Sequence, residues 1–200
     1  MGRFDELAST WDEKPSRVEN AKAIGKAIVE NVPLNESWNV LDFGAGTGLL
    51  TFYIQPYVGR IDAVDNSTGM LEKLKEKAEK AGIKTINPTL KDLETDDLGE
   101  EIYDLAMSSM TLHHIKEIED FLKRLYKAVK NGGYIAVADL VEEDGTFHSD
   151  NEGVHHFGFS VDKLKCLIEN AGFKDVKIAI VNTIKKNNKE YPVFLLIAKK

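Results

Sequence analysis

Residues 39–54 read NVLDFGAGTGLLTFYI and place three glycines, Gly44, Gly46 and Gly48, within five positions between an apolar run and an amphipathic one. Glycine reaches backbone conformations closed to other residues and has no side chain. A chain therefore needs it at a sharp turn, or where something lies against the main chain. An apolar run that stops at such a turn and resumes with helical spacing reads as a buried strand feeding a helix. That unit belongs to a sheet covered by helices on both faces.

The rest of the chain repeats the alternation. PSRVENAKAIGKAIVENV opens with Ser16 and has Glu19 three residues later, a capping-box pattern, and Val18, Ala21, Ile24, Ala27 and Ile28 form one apolar face. SWNVLDF, RIDAVD, IKTINPTL, YDLAMSS and YIAVADL read as five strands. LLTFYIQPYV, STGMLEKLKEKAEKAG with its stop at Gly82, EIEDFLKRLYKAVKNGG closed by Gly132 and Gly133, and SVDKLKCLIENAGF between Ser160 and Gly172 read as helices. DVKIAIVNTI and YPVFLLIAKK are two strands in a row across the polar KKNNKE. Five strand–helix units and a terminal hairpin predict an α/β, doubly wound, Rossmann-like sheet of seven strands. It is mostly parallel with an antiparallel last strand, and carries helices on both faces. No repeat or linker divides residues 1–200, so one domain is expected. Residues 1–35 form an N-terminal segment and helix, and the long irregular stretch 141–159 suits a lid, since loops of that length are usually functional or mobile.

Charge narrows the partners. The formal net charge is −7, with acids and bases interleaved, which argues against a nucleic-acid surface. Cys166 is the one cysteine, leaving no internal disulfide and no cysteine-built metal site. The opening MGRFDELASTWDEKPS lacks the apolar core of a signal peptide, and no window approaches a membrane span. The expectation is a cytoplasmic protein, monomer or homodimer, with no metal, no nucleic acid and no membrane partner.

In a doubly wound sheet, ligands bind beyond the carboxyl ends of the strands, so the glycine turn is the expected site. A dinucleotide fingerprint, G-x-G-x-x-G, would put its third glycine at position 49, which is Leu49. The chain has D-x-G-x-G-x-G instead: Asp42, Gly44, Gly46 and Gly48. That spacing resembles motif I of the class I S-adenosylmethionine-dependent methyltransferases. Asp65 ends the second strand, where a carboxylate can accept both hydrogen bonds of a ribose diol. Asp92 and Leu93 follow the third strand. YDLAMSSMTLHHI resembles the fourth-strand motif of small-molecule methyltransferases similar to those of quinone biosynthesis, and the terminal hairpin matches the antiparallel seventh strand of that family. The resemblance runs from FDELASTWDEKP to the last strand. It implies S-adenosylmethionine as cofactor, giving S-adenosylhomocysteine, against Asp42, Gly44, Ala45, Gly46, Gly48, Asp65, Asn66, Met70, Asp92, Leu93 and Ser108. It also implies a small-molecule acceptor.

Methyl transfer from a sulfonium is a direct displacement, which demands positioning and dryness but no nucleophilic triad. Some acceptors need a base, and neutral histidine suits that task. His113 and His156 are the candidate catalytic groups. Trp11, His113, His148, His155 and His156 are candidates for the acceptor pocket. SSMT stands where methylases of nucleic-acid bases and amides commonly carry Asp/Asn-Pro-Pro-aromatic, which disfavours those substrates. Two other functions fit the same fold: a non-catalytic sensor or complex subunit that binds S-adenosylmethionine, and an NAD-dependent oxidoreductase.

Overall fold

Seven strands form one sheet in the order β3-β2-β1-β4-β5-β7-β6. The structure, a computed structural model, describes residues 2–200. The strands are β1 (Asn39–Phe43), β2 (Arg60–Asp65), β3 (Ile86–Leu90), β4 (Tyr103–Ser109), β5 (Val129–Leu140), β6 (Lys174–Lys186) and β7 (Lys189–Lys199). All pairings among β1 to β5 are parallel, while β7 runs antiparallel to both β5 and β6. The hairpin folds β7 back between β5 and β6, so only the last strand is reversed, as the sequence predicts. Strand order turns around at the β1–β4 pair, and a cleft opens there beyond Phe43 and Ser109.

β1 is apolar almost throughout because both its faces are covered. Val40 faces a layer containing Ile24 and Ile28 of α2 (Pro15–Asn31) and Leu50 and Ile54 of α3 (Leu49–Ile54). Its neighbour Leu41 faces the opposite layer, with Phe121, Leu122 and Leu125 of α5 (Ile118–Ala128) and Leu164 and Ile168 of α6 (Val161–Asn170). Leu74 of α4 (Thr68–Lys80) packs on Ala63 and Ile86. Each large side chain buried in this way contributes roughly 1.5–3 kcal/mol.

Four boundaries differ from the sequence reading. α2 begins at Pro15, whose fixed φ suits the first helical position, so Ser16 is already inside the helix and its capping box does not form. α5 ends at Ala128, and Gly132 and Gly133 lie within β5, because the chain turns early to pair Val129 with Tyr103. No helix joins β3 to β4; residues 91–102 are turns, consistent with their run of acids and lack of apolar period. The strand–helix units therefore number four. The opening segment, to which the sequence assigns no element of its own, is helical, with α1 (Arg3–Leu7) running into a 3-10 turn over Ala8–Glu13.

Two carboxylates fasten that segment over the sheet. Asp5 accepts hydrogen bonds from Ser67 Oγ at 2.6 Å and from the Gly69 amide at 2.9 Å, capping α4 from outside. These bonds, with one from the Gly2 amide, hold its carboxyl down at about 2. Gly69 allows the approach, because a Cβ there would stand 3.0 Å from Asp5 Cα. Asp12 accepts from Lys77 Nζ at 2.6 Å and from the Thr47 hydroxyl. Asp5→Ala should therefore accelerate amide hydrogen exchange across residues 3–13 while leaving β1 and β4 protected. Unchanged exchange in the segment would show that other contacts hold it.

Candidate functional site

The cleft at the β1–β4 switch has a volume of about 1050 Å³, and the glycine turn forms its floor. The three glycines have different reasons to be glycine. At Gly44, φ +67°, a Cβ would strike Thr111 Oγ1 at 2.1 Å. At Gly48 it would meet Leu74 and Phe52 at 2.9–3.0 Å, so that glycine lets α3 and α4 close together and does not border the cleft. At Gly46, φ +55°, a Cβ would meet no atom within 4 Å, and the residue lines the open cleft. The turn's amides are spent internally. Those of Gly44 and Ala45 donate to Val64 O, that of Gly46 to Asp65 Oδ2 at 2.8 Å, and that of Gly48 to Ala45 O. The turn thus presents a smooth Cα surface, unlike a phosphate-binding loop, whose amides point at its ligand.

Acids stand at the strand ends around the turn. Asp42 and Asp65 border the cleft with Ala45, Asn66 and Met70, and Asp92 and Leu93 border it after β3. Burial raises the Asp42 carboxyl from 3.8 to about 7, opposed by the Thr51 hydroxyl that donates to it and reinforced by repulsion from Asp65. Burial also raises Asp65, against the amides of Ser67, Gly46 and Asn66 that donate to it. Ser108 does not reach the cleft: it is fully buried and its hydroxyl donates to Phe43 O at 2.8 Å, while the alternate position, Ser109, faces the opening.

The Asp42 shift has a sign that can be measured. Between about pH 4 and 7 the folded chain keeps a proton on Asp42 that the unfolded chain has lost, so stability from this group falls as pH rises. Asp42→Asn, which mimics the neutral form, should gain on the unsubstituted protein by a few kcal/mol between about pH 5 and pH 8 in urea titrations. A constant difference between the two proteins across that range would assign no shift to Asp42.

Imidazoles occupy the far end of β4 and β5. His113 Nδ1 lies 2.7 Å from Asp139 Oδ1, and both side chains are buried. Asp139 also accepts from the His113 amide at 3.1 Å and the Leu140 amide at 2.7 Å. A carboxylate only accepts, so His113 donates from Nδ1, and in its neutral form its Nε2 is an acceptor. That Nε2 is buried without a partner, as is Nε2 of His148, whose ring centre stands 5.0 Å away. Burial, then neighbouring imidazoles, hold His114 and His148 down at about 4, so both are neutral near pH 7. His155 borders the cleft, and its amide donates to His113 O. His156 does not: its Nε2 pairs with Ile115 O at 2.9 Å and its ring packs on Phe159 beside a separate, smaller pocket. Trp11 borders the cleft, edge-on to Phe4 and beneath the Arg17 guanidinium. The sequence reading missed Asp139, although an acid inside the apolar run YIAVADL carries the same signal as Asp42 in NVLDF. Among the described residues no group of three or more His, Cys, Asp or Glu is placed to hold a metal, and no helix is long and apolar enough to cross a membrane.

Comparison with known proteins agrees with this geometry. The family described as "Methyltransferase domain" matches residues 40–133, from β1 into β5. An uncharacterised methyltransferase of Schizosaccharomyces pombe is 32% identical over 165 residues, covering 75% of this chain and 58% of the relative. The chain thus spans little more than half the length of that relative, and only 26% of a biotin-biosynthesis bifunctional protein of Teredinibacter turnerae that it also matches. A solved S-adenosylmethionine-dependent methyltransferase of Aquifex aeolicus superposes with a TM-score of 0.74 at 23% identity, covering 98% of this chain and 97% of that one. Residues 40–133 thus match the methyltransferase-domain family, and the seven-stranded sheet with its reversed last strand has the fold of that solved methyltransferase.

Proposed function

We propose that the chain transfers a methyl group from S-adenosylmethionine to a small-molecule acceptor in the cytoplasm. Gly46 carries the reading: its missing side chain opens onto the cleft and not onto the protein, so the vacancy serves a ligand. The surrounding residues suit that cofactor. Asp65 offers a carboxylate to a ribose diol, and Asp92 with Leu93 offers an acceptor and an apolar surface to an adenine edge and ring. Gly44 and Ala45 leave a path along the main chain, and Asn66 and Met70 flank it.

S-adenosylmethionine, when bound, supplies an electrophilic methyl group on a sulfonium. The chain's own contribution is alignment and exclusion of water, which in favourable intramolecular systems is worth roughly 7–11 kcal/mol. The N-terminal segment and residues 141–159 meet over the cleft, where Arg3 donates to Asp150 O at 2.8 Å. Trp11, His148 and His155 border the cleft, and the buried, unpartnered Nε2 of His113 suits a base for an acceptor that must lose a proton.

Melting the protein in the presence of S-adenosylmethionine, S-adenosylhomocysteine and NADH tests the cofactor. Either adenosyl compound at about a hundred times its Kd should raise Tm by roughly 5–10 °C. A shift with NADH alone overturns the reading. Transfer of label from the methyl group to a pool of small metabolites tests catalysis, and binding without any transfer would leave a sensor.

A further inference from the structure

Arg3, Arg17 and Lys186 line the cleft as half-buried cations contributed by α1, α2 and the carboxyl end of β6. None of them forms an ion pair among the described residues, in a chain of net charge −7. Each is held by neutral carbonyls instead. Arg3 donates to Asp150 O and Lys186 Nζ to Phe147 O, so cations from opposite ends of the chain grip one tetrapeptide on either side of His148. Arg17 donates to Trp11 O at 3.1 Å with its guanidinium 3.5 Å from the Trp11 ring centre. Glu6 and Asp150 border the same region but stay outside ion-pair distance of all three.

Partly buried charges are poorly screened by salt, and these repel one another. Burial lowers Arg17 against the pull of Asp12, and Arg3 adds to the lowering. At His148, where burial and the neighbouring imidazoles lead, Arg3 and Lys186 both contribute in the same direction. S-adenosylmethionine brings one carboxylate against a sulfonium and an ammonium, so it adds net positive charge to the cleft and its carboxylate leaves most of these cations unpaired. The missing anion must come from the acceptor. Beside the cations, Nε2 of His113 and of His148 are buried without partners, which a polar atom of the same ligand would satisfy.

We propose that the methyl acceptor is a small anion whose carboxylate or phosphate is held between Arg3 and Lys186, with its remaining polar atoms against the Nε2 atoms of His113 and His148. This rests on the methyltransferase reading above. The acceptor's anionic end binds at the closure of the N-terminal segment on residues 141–159, so binding the acceptor and covering the cleft are one event.

The test uses the full chain saturated with S-adenosylhomocysteine, titrated calorimetrically with inorganic phosphate and with malonate at constant ionic strength. At least one should bind saturably, and at least tenfold more weakly to the Arg3→Gln/Lys186→Gln variant, while Lys123→Gln, on the exposed face of α5, binds it normally. Tighter phosphate assigns a phosphoryl acceptor and tighter malonate a carboxylate. If the double variant loses its fold by circular dichroism, Lys186→Gln alone carries the comparison. Absence of saturable binding by both anions, or equal binding to the variant, overturns the proposal alone. Failure of S-adenosylhomocysteine to bind overturns the methyltransferase reading, and this one with it.

Discussion

Gly46→Val is expected to abolish measurable binding of S-adenosylhomocysteine, weakening it at least a hundredfold, or about 2.7 kcal/mol, in a protein that still folds. The argument rests on where the new atoms go. A Cβ at position 46 meets no protein atom within 4 Å, so the substitution creates no clash with the core. The conformational cost is that of φ +55° for a branched residue, about 1–2 kcal/mol, which lowers Tm by roughly 2–8 °C. The valine methyls then stand in the cleft, where a ligand following the main chain must pass. Gly44→Ala behaves differently, because its Cβ would strike Thr111 at 2.1 Å and the loss would appear first as instability. Isothermal titration with circular dichroism on both variants separates the cases. Normal affinity in Gly46→Val would show that the turn is not the cofactor's seat.

What the sequence made legible is what is local. Glycines at an apolar-to-amphipathic switch, a period of two giving way to one near four, and two strands across a polar break need no long-range knowledge to read. They gave seven strands and the reversed last one. The errors have physical causes of a different kind. Ser108 and Ser109 sit side by side on β4, and the pleat sends one hydroxyl to Phe43 O and the other to the cleft. His155 and His156 sit side by side in a loop, where no period says which one faces the opening. Asp5 caps a helix 64 residues away and Asp139 pairs with a histidine 26 residues away, so neither shows its partner in any window of sequence. The long loop concealed the grip of Arg3 and Lys186 on its carbonyls for the same reason.

Asp139 is the position where that hidden pairing has the greatest consequence. Its carboxylate accepts from His113 Nδ1, the His113 amide and the Leu140 amide, all within 3.1 Å and all out of water. Asp139→Ala strands three buried donors at once, which should cost about 3–5 kcal/mol and lower Tm by roughly 6–20 °C. Asp139→Asn keeps the volume but replaces one acceptor oxygen by an NH₂, so at least one donor faces another donor. His113 is then free to move its proton to Nε2, which turns the lone pair away from the cleft. The two roles of the pair come apart in His113→Ala. That variant should keep S-adenosylhomocysteine affinity within a few fold and lose turnover by about 10²–10⁴ if His113 takes the acceptor's proton. Asp139→Asn should reproduce that loss of turnover at a temperature where its own fold is intact. Turnover unchanged in both variants, with Tm lowered in both, would make the dyad a structural strut between β4 and β5. A parallel loss in both would place His113 Nε2 at the acceptor, with Asp139 holding it there.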